Sequence, residues 1–514
     1  MIMKKNIVVT LALCSVLGTS CVDLVQEPLS FMSPGNIEIN EKNSLGMLDG
    51  LYKELYGGNY EYNCRTVIMG LGADDICTGN VTKRHTNFDQ MDITIGKQDG
   101  DSETMWGNMY ALAQIANLWK EAFEATDDLN ETVKVQYIAE CRFMRAFAYF
   151  NLVRWFGDVP CFIDSQCMTD LNGSTTITRN KTEEIYTKII IPDLENAATY
   201  LPAYSRADDN SRVGAWAAKA CLADVYMTMA GWPLKQTDKY AKAANICKDI
   251  ILNSGFTLEE NYKDLWMEAN KNSRTEHIFA LNHSKERMAS NYGKSYFIQE
   301  ESGWADYTAD PVFYEQHPDD ARKDFNFVTT FKINNRNVPY TRTEMKAPAI
   351  NKYRDYGGVG SPQSAGITPI YRFAEVLLMY AEAQCKSAGA PDDLAYECLD
   401  RVRYRASKNK TTHQAYTTLD RFTPEQFLQK VFDEYGFEFF AEFKRWFYLV
   451  RNEKVYEVNH GYTDAFGVER PANTRIKEAM DAARITPDNR KLYHFVLPDI
   501  EVQSCHFEQN DRIW

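Results

Sequence analysis

The chain has 514 residues and a formal net charge of −14 at pH 7, from 71 acidic and 57 basic side chains. That balance lacks the basic footprint a phosphodiester backbone needs, which excludes nucleic acid as a partner; docking on anionic lipid by charge alone is excluded for the same reason. Aromatic residues make up 13% of the chain and 30 of them are tyrosines, whose apolar body and polar tip suit binding surfaces as well as cores.

Residues 1–20 read as a lipoprotein signal peptide: Lys4 and Lys5, a mostly apolar run from Ile7 to Leu17, then Gly18, Thr19 and Ser20 directly before Cys21. The run is too short to span a bilayer. Acylation of Cys21 would instead tether the protein to a membrane without crossing it. Loss of Lys4 and Lys5, with no acid in the segment, takes the mature charge from −14 to −16. Residues 21–42, with Glu27-Pro28 and Pro34-Gly35, read as a polar tether.

Helical spacing then predicts helices over about 43–56, 104–126, 133–156, 182–200, 212–230 and 237–253, with Pro192 expected to kink the fourth. The third holds apolar residues at 143, 146, 147, 150 and 153, reads as amphipathic, and should stop near Gly157 before Pro160. Residues 57–100 are loop-rich, and 255–366 carry no sustained helical period. Patterning resumes at 369–388, 392–407 and 424–452, before a Pro- and charge-containing tail. Small residues on successive turns, as in Ala217-Ala218-Lys219-Ala220-Cys221, let paired helices approach closely, in the manner of tetratricopeptide pairs.

The predicted fold is therefore mostly α: a TPR-like paired-helix scaffold (43–254 and 369–452), a loop-rich region with minor β structure (255–368) and a tail (453–514). Such scaffolds generally present binding surfaces. Cys141, Cys221, Cys247 and Cys385 fall in helical patterns and read as buried thiols. Cys64/Cys77 and Cys161/Cys167 lie in loop-like stretches, where either pair could form a disulfide. No Cys/His cluster has zinc spacing, the Asp306/Asp310 region lacks an EF-hand ligand series, and no nucleotide or hydrolase motif is present. No metal, cofactor or catalytic residue is assigned.

Several blocks, in order along the chain, resemble the SusD/RagB family of Bacteroidetes outer-membrane nutrient-binding lipoproteins. They are Cys141 to Ile163, Ile191-Pro192-Asp193-Leu194-Glu195-Asn196-Ala197, Ser211-Arg212-Val213 with Ala217 to Ala220, Tyr371 to Ala383, Asp400 to Ala406, Glu434 to Arg451, and Leu497-Pro498 with Glu501 and Gln509-Asn510. Tyr435 stands where the family usually has Arg, and Tyr448 where it has Asp. The i, i+3 spacing of Arg372/Glu375 and Glu442/Arg445 suggests ion pairs on helix surfaces.

The resemblance implies a cell-surface, lipid-anchored glycan binder that sits over a SusC-like TonB-dependent outer-membrane transporter and breaks no bonds. A peptide binder of the same fold and an envelope glycosidase are the alternatives. Sugar rings lie against aromatic faces while their hydroxyls need amide, carboxylate or guanidinium partners. The densest such stretch is 291–307, with Tyr292, Tyr296, Trp304 and Tyr307 as candidate contacts; the competing reading has these rings packing the insertion onto the helices. Trp106 and Asn108 come second, Trp106 doubling as a possible core anchor. Asp74, Asp75 and Arg84 come third, against a reading as solvated loop charges.

Overall fold

The computed structural model describes residues 39–510 apart from 57–61, 79–85, 90, 92–99, 166–176, 206, 208, 210, 287, 291, 360–362, 410–421, 483–484 and 489–492. Cys21, Arg84 and Cys167 lie outside the described residues, as does the side chain of Cys64, so neither expected disulfide is described. Among the described residues no helix is long and apolar enough to cross a membrane.

Helix α1 (Glu41–Tyr56) and the shorter α2 (Tyr62–Met69) lead to a two-residue strand, β1 (Ile76–Cys77). The long pair α3 (Asp101–Ala125) and α4 (Glu131–Phe156) follows. Asn130 caps α4 by accepting from the Thr132 amide at 2.9 Å. Gly157, at φ 72°, ends it by donating to the Val153 carbonyl at 3.0 Å. The expected stop is thus found, but the expected polar face is not. Phe143 to Phe150 are buried without a break, Arg145 included. Asp193 explains this: Arg145 donates to it from Nε at 2.7 Å and from Nη2 at 2.9 Å, so the next helix covers the charged side too. A helix apolar on most faces and charge-paired on the rest is central, not amphipathic.

Pro192 does not break the 182–200 helix. A turn of π-helix at Tyr186–Ile190 precedes it and leads into α5 (Ile191–Tyr200), so the wider turn absorbs the missing proline N–H. Helices α6 (Ala215–Ala230) and α7 (Lys239–Asn253) form the next pair, and α7 also packs on a later helix from the second half of the chain.

The insertion carries strand β2 (His277–His283), the short helix α8 (Tyr292–Tyr296), and the small strands β3 (Thr308–Ala309), β4 (Phe327–Val328), β5 (Thr330–Ile333), β6 (Arg336–Pro339) and β7 (Ala349–Ile350). Strand β8 (Gly366–Arg372) returns antiparallel to β2. It occupies residues that the sequence assigns to a helix from 369; the helix, α9 (Phe373–Ala388), begins only after Arg372. Helix α10 (Asp393–Ala406) pairs with it.

The predicted 424–452 helix is broken into α11 (Pro424–Glu438) and α12 (Arg445–Arg451). Ala441 (φ 55°) and Phe443 (φ 68°) take left-handed backbone between them, a conformation that costs a non-glycine residue on the order of 1–3 kcal/mol. The break brings Glu442 onto Arg372 and Lys352, with contacts of 2.7–2.9 Å. The tail is more structured than its composition suggests, with helix α13 (Val455–His460), the hairpin β9 (Tyr462–Thr463) and β10 (Glu469–Arg470), and helices at Thr474–Ala482 and Asp499–Cys505.

One continuous core runs from Met47 to Phe507 through both helical stretches. Cys141, Cys221, Cys247 and Cys385 lie in it as free thiols. A smaller cluster of Ile298, Ala305, Phe331, Met345 and Ala349 belongs to the insertion alone.

Candidate functional site

The antiparallel pairing of β1 with β3 sets Ile76 against Ala309 and Cys77 against Thr308. Two stretches far apart in sequence are thereby joined, but the antiparallel register sets the Asp74-Asp75 segment beside Asp310, whose amide donates to the Asp75 carbonyl at 3.0 Å, and leaves the Trp304 turn at the opposite end of the short ladder. The Cys77 thiol lies 3.2 Å from the Thr308 hydroxyl and so tightens the register.

Trp304 is half-buried and is held by backbone contacts rather than by helix or strand. Its amide donates to the Lys294 carbonyl at 2.7 Å, and the flanking Gly303 and Ala305 amides donate to Ile298 and Phe297 at 3.0 and 2.9 Å. Gly303 is required by space: a Cβ there would lie 1.9 Å from the Phe297 carbonyl oxygen. Arg354 locks the turn from outside, with two 2.8 Å contacts to the Glu301 carboxylate and its guanidinium 4.2 Å from the Phe297 ring centre. Sequence reasoning missed Arg354, because nothing local marks a residue 53 positions downstream as the partner of Glu301. Gln299, Glu300 and Ser302 are exposed on the same turn as Trp304, so hydrogen-bonding side chains and an indole share one segment.

The other rings of the stretch are a correction to the sequence reading. Tyr292, Tyr296 and Tyr307 are 0%, 2% and 1% exposed. Tyr292 stacks on Tyr353 at 4.2 Å between centroids, and Tyr296 lies against both Tyr307 and Tyr353. Their faces are used in packing the insertion, and Tyr292 spends its hydroxyl on Thr368 at 2.7 Å. Trp106 is likewise a core anchor, 5% exposed, wedged between Tyr110 and Phe156. Its neighbour Asn108 is half-buried on the same helix. Asp74 is not a solvated loop charge; it takes a bidentate pair from Arg445 at 2.7 and 2.8 Å. Burial, reinforced by the Asp74 charge, pushes Asp75 up to about 6, and burial pushes Asp310 up to about 7. Both carboxylates have structural work: Asp75 accepts from the Ala441 amide at 3.1 Å, and Asp310 caps a short helix and accepts from Asn473 at 2.7 Å.

The charged residues of the family-like blocks also differ from expectation. Arg372 does not pair with Glu375 on a surface. It is fully buried and donates to Glu276, Glu438 and Glu442 at 2.6–2.8 Å. Arg405 joins Glu276 and Glu438, Arg322 joins Glu434 and Glu438, and Lys352 joins Glu442. Burial alone would raise the Glu438 carboxyl, but Arg405, Arg372 and Arg322 hold it down at about 2. Glu375 pairs instead with Lys444 and accepts from the Tyr435 hydroxyl, while Arg445 pairs with Asp74. These carboxylates are fixed by cations and fasten the insertion to the helices.

A model of the SusD family matches residues 259–506, and a second, described as starch-binding associating with outer membrane, matches residues 44–227. SusD-like protein P2 of Formosa agariphila is 26% identical over 480 residues, covering 87% of this chain and 90% of that protein. Among solved structures, a SusD homolog from Bacteroides thetaiotaomicron superposes with a TM-score of 0.79 at 21% identity, over 94% of this chain and 98% of that one. A laminarin-binding SusD-like protein superposes with a TM-score of 0.70 at 21% identity, over 92% of this chain and all of the other (100%). Matched by family models along both halves, and sharing its fold with these structures, the chain belongs to the SusD/RagB family.

Proposed function

We propose that the protein captures oligosaccharide at the outer-membrane surface, held there by a lipid on Cys21, and delivers it to a SusC-like TonB-dependent transporter without breaking bonds. The Trp304 turn carries this reading. An indole on a turn fixed from both sides, with exposed amide, carboxylate and hydroxyl groups on the same turn, matches the stacking-plus-hydrogen-bond demands of a pyranose. The descriptions of the matching family and of the laminarin-binding relative support the same ligand class. A rigid turn needs little ordering when ligand arrives, which favours affinity.

The test is calorimetry of the purified protein against a panel of neutral oligosaccharides, repeated with Trp304→Ala, while reducing ends are monitored. Binding that falls at least tenfold in the variant, with no new reducing ends, supports capture. Release of new ends overturns it in favour of a glycosidase, and unchanged binding moves the site elsewhere. Mild-detergent purification from native membranes should bring down an outer-membrane barrel; its absence would remove the delivery step.

A further inference from the structure

Away from the Trp304 turn, the scaffold holds a groove of about 640 Å³ between α11, the end of α12 and the edge of β9. That volume lies within the range of roughly 300–1,000 Å³ typical of small-ligand pockets. Tyr462, half-buried, gives it one accessible ring, with Phe432 and Tyr448 packed beneath at 9% and 3% exposure, and Gln429, Asn452 and Lys454 supply hydrogen-bonding groups.

All but one of its lining charges are matched in place. Glu382 on the floor is held by Arg451 at 2.6 and 2.7 Å and by Lys386 at 2.7 Å. Glu457 pairs with Lys454, and Asp464 with Arg470. Only Glu425, exposed at the rim, lines the groove without an ion pair among the described residues, so the groove carries no strong net field of either sign. It offers donors and acceptors near the Tyr462 ring, and the groups are already ordered: Lys386 also donates to Asn452 at 2.5 Å, and Gln429 donates to Asp433 at 2.9 Å. A neutral, polyhydroxylated ligand meets those conditions, since its hydroxyls both give and accept and its C–H faces lie on rings.

We propose that this groove is a second carbohydrate site, taking a short neutral oligosaccharide independently of the Trp304 turn. The choice of ligand class rests on the glycan-binding reading above; the place does not.

The experiment is titration of the protein with malto-, laminari- and xylogluco-oligosaccharides by calorimetry, comparing Trp304→Ala, Tyr462→Ala and Gln429→Ala, each checked for a cooperative melt. Two sites per chain are expected. Trp304→Ala should abolish one and spare the other, and Gln429→Ala and Tyr462→Ala should each weaken the spared one about tenfold. Should Tyr462→Ala fail to fold, Gln429→Ala alone decides. A single site that Trp304→Ala abolishes overturns this proposal and leaves the Trp304 reading standing. A single site that the groove variants weaken and Trp304→Ala spares does the reverse. No binding by any probe to the unaltered protein overturns both.

Discussion

The helical body and the 255–368 insertion are both rich in rings, yet they are secured in different ways. In the body, α4 sets Phe143, Phe147 and Phe150 among Ala146 and Ala148, all at 0–1% exposure, and apolar contact does most of the holding, with single buried pairs such as Arg145–Asp193 where a charge is enclosed. Where the insertion meets the body, Arg322, Lys352, Arg372 and Arg405 meet Glu276, Glu434, Glu438 and Glu442, all buried. Apolar packing accepts many partners of about the right size. A buried charge does not, because its desolvation is offset only by particular partners in good geometry. The body is held by a property of the sequence, whereas the joint is held by an arrangement that specifies one placement of the insertion.

The sharpest way to break this contrast is Arg372→Ala. It leaves Glu276, Glu438 and Glu442 short of a cation inside the protein, and removing one partner of a buried pair costs about 3–5 kcal/mol. Urea denaturation should show that loss; a change under about 1 kcal/mol would mean the network is not formed. Phe147→Ala should lose a similar amount, about 3–5 kcal/mol, by leaving a cavity in the body. The two variants separate by pH. Glu438 and Glu382 are both held at about 2, against an ordinary value of 4.5. Carboxyls lowered on folding stabilise above their unfolded value, and that stability drains as pH falls through the folded one. Other buried groups act higher in the range: Asp310 is raised to about 7 and Asp75 to about 6, so each loses stability as pH rises from 3.8 toward those values. His277, His283 and His317, lowered to about 4 by burial, lose it as pH falls from 6.5 to 4. Below about pH 4 the remaining decline reports these two glutamates together with Glu442 and the other carboxylates that nearby cations hold low. Phe147→Ala should keep its slope, and Arg372→Ala should reduce only the share owed to Glu438 and Glu442, leaving that of Glu382 to Arg451 and Lys386.

How much of this was legible in the sequence follows the same division. Helix periodicity is local, so α1, α3, α4, α6, α7 and α10 are found within about three residues of where spacing puts them. Misreadings arise where a distant partner decides. Residues 366–372 become a strand because β2 lies alongside, and Glu442 leaves the helical pattern because Arg372 and Lys352 draw it inward. Tyr435 and Tyr448 are visible in sequence as two departures from the family pattern. Only the fold shows that they touch, stacked at 4.0 Å and 19°, so that a ring pair stands where the pattern places an arginine and an aspartate. In the 291–307 stretch, ring density alone does not tell face from core. Trp304 and Tyr307 are three residues apart, and one lines a surface turn while the other is entombed. Burial of the tyrosines depends on their neighbours Tyr353 and Tyr356 being rings as well, which no count within 291–307 contains.

The smallest effects on stability should accompany the largest on ligand. Gly303→Ala places a Cβ against the Phe297 carbonyl, which cannot yield as a flexible side chain would, so the turn must shift. Overpacking of this kind costs about 1–3 kcal/mol, and glycan affinity should fall with the displaced indole although no contact atom is deleted. Trp304→Ala removes the platform but leaves the backbone contacts to Lys294, Ile298 and Phe297. Because the ring is half-buried at a turn, its loss should lower stability by no more than about 1 kcal/mol. If both variants lose binding while only Gly303→Ala loses stability, the turn acts as a mount and the ring as the contact. Equal losses of stability in both would instead place Trp304 with Tyr292 and Tyr307 among the rings that only fill the insertion.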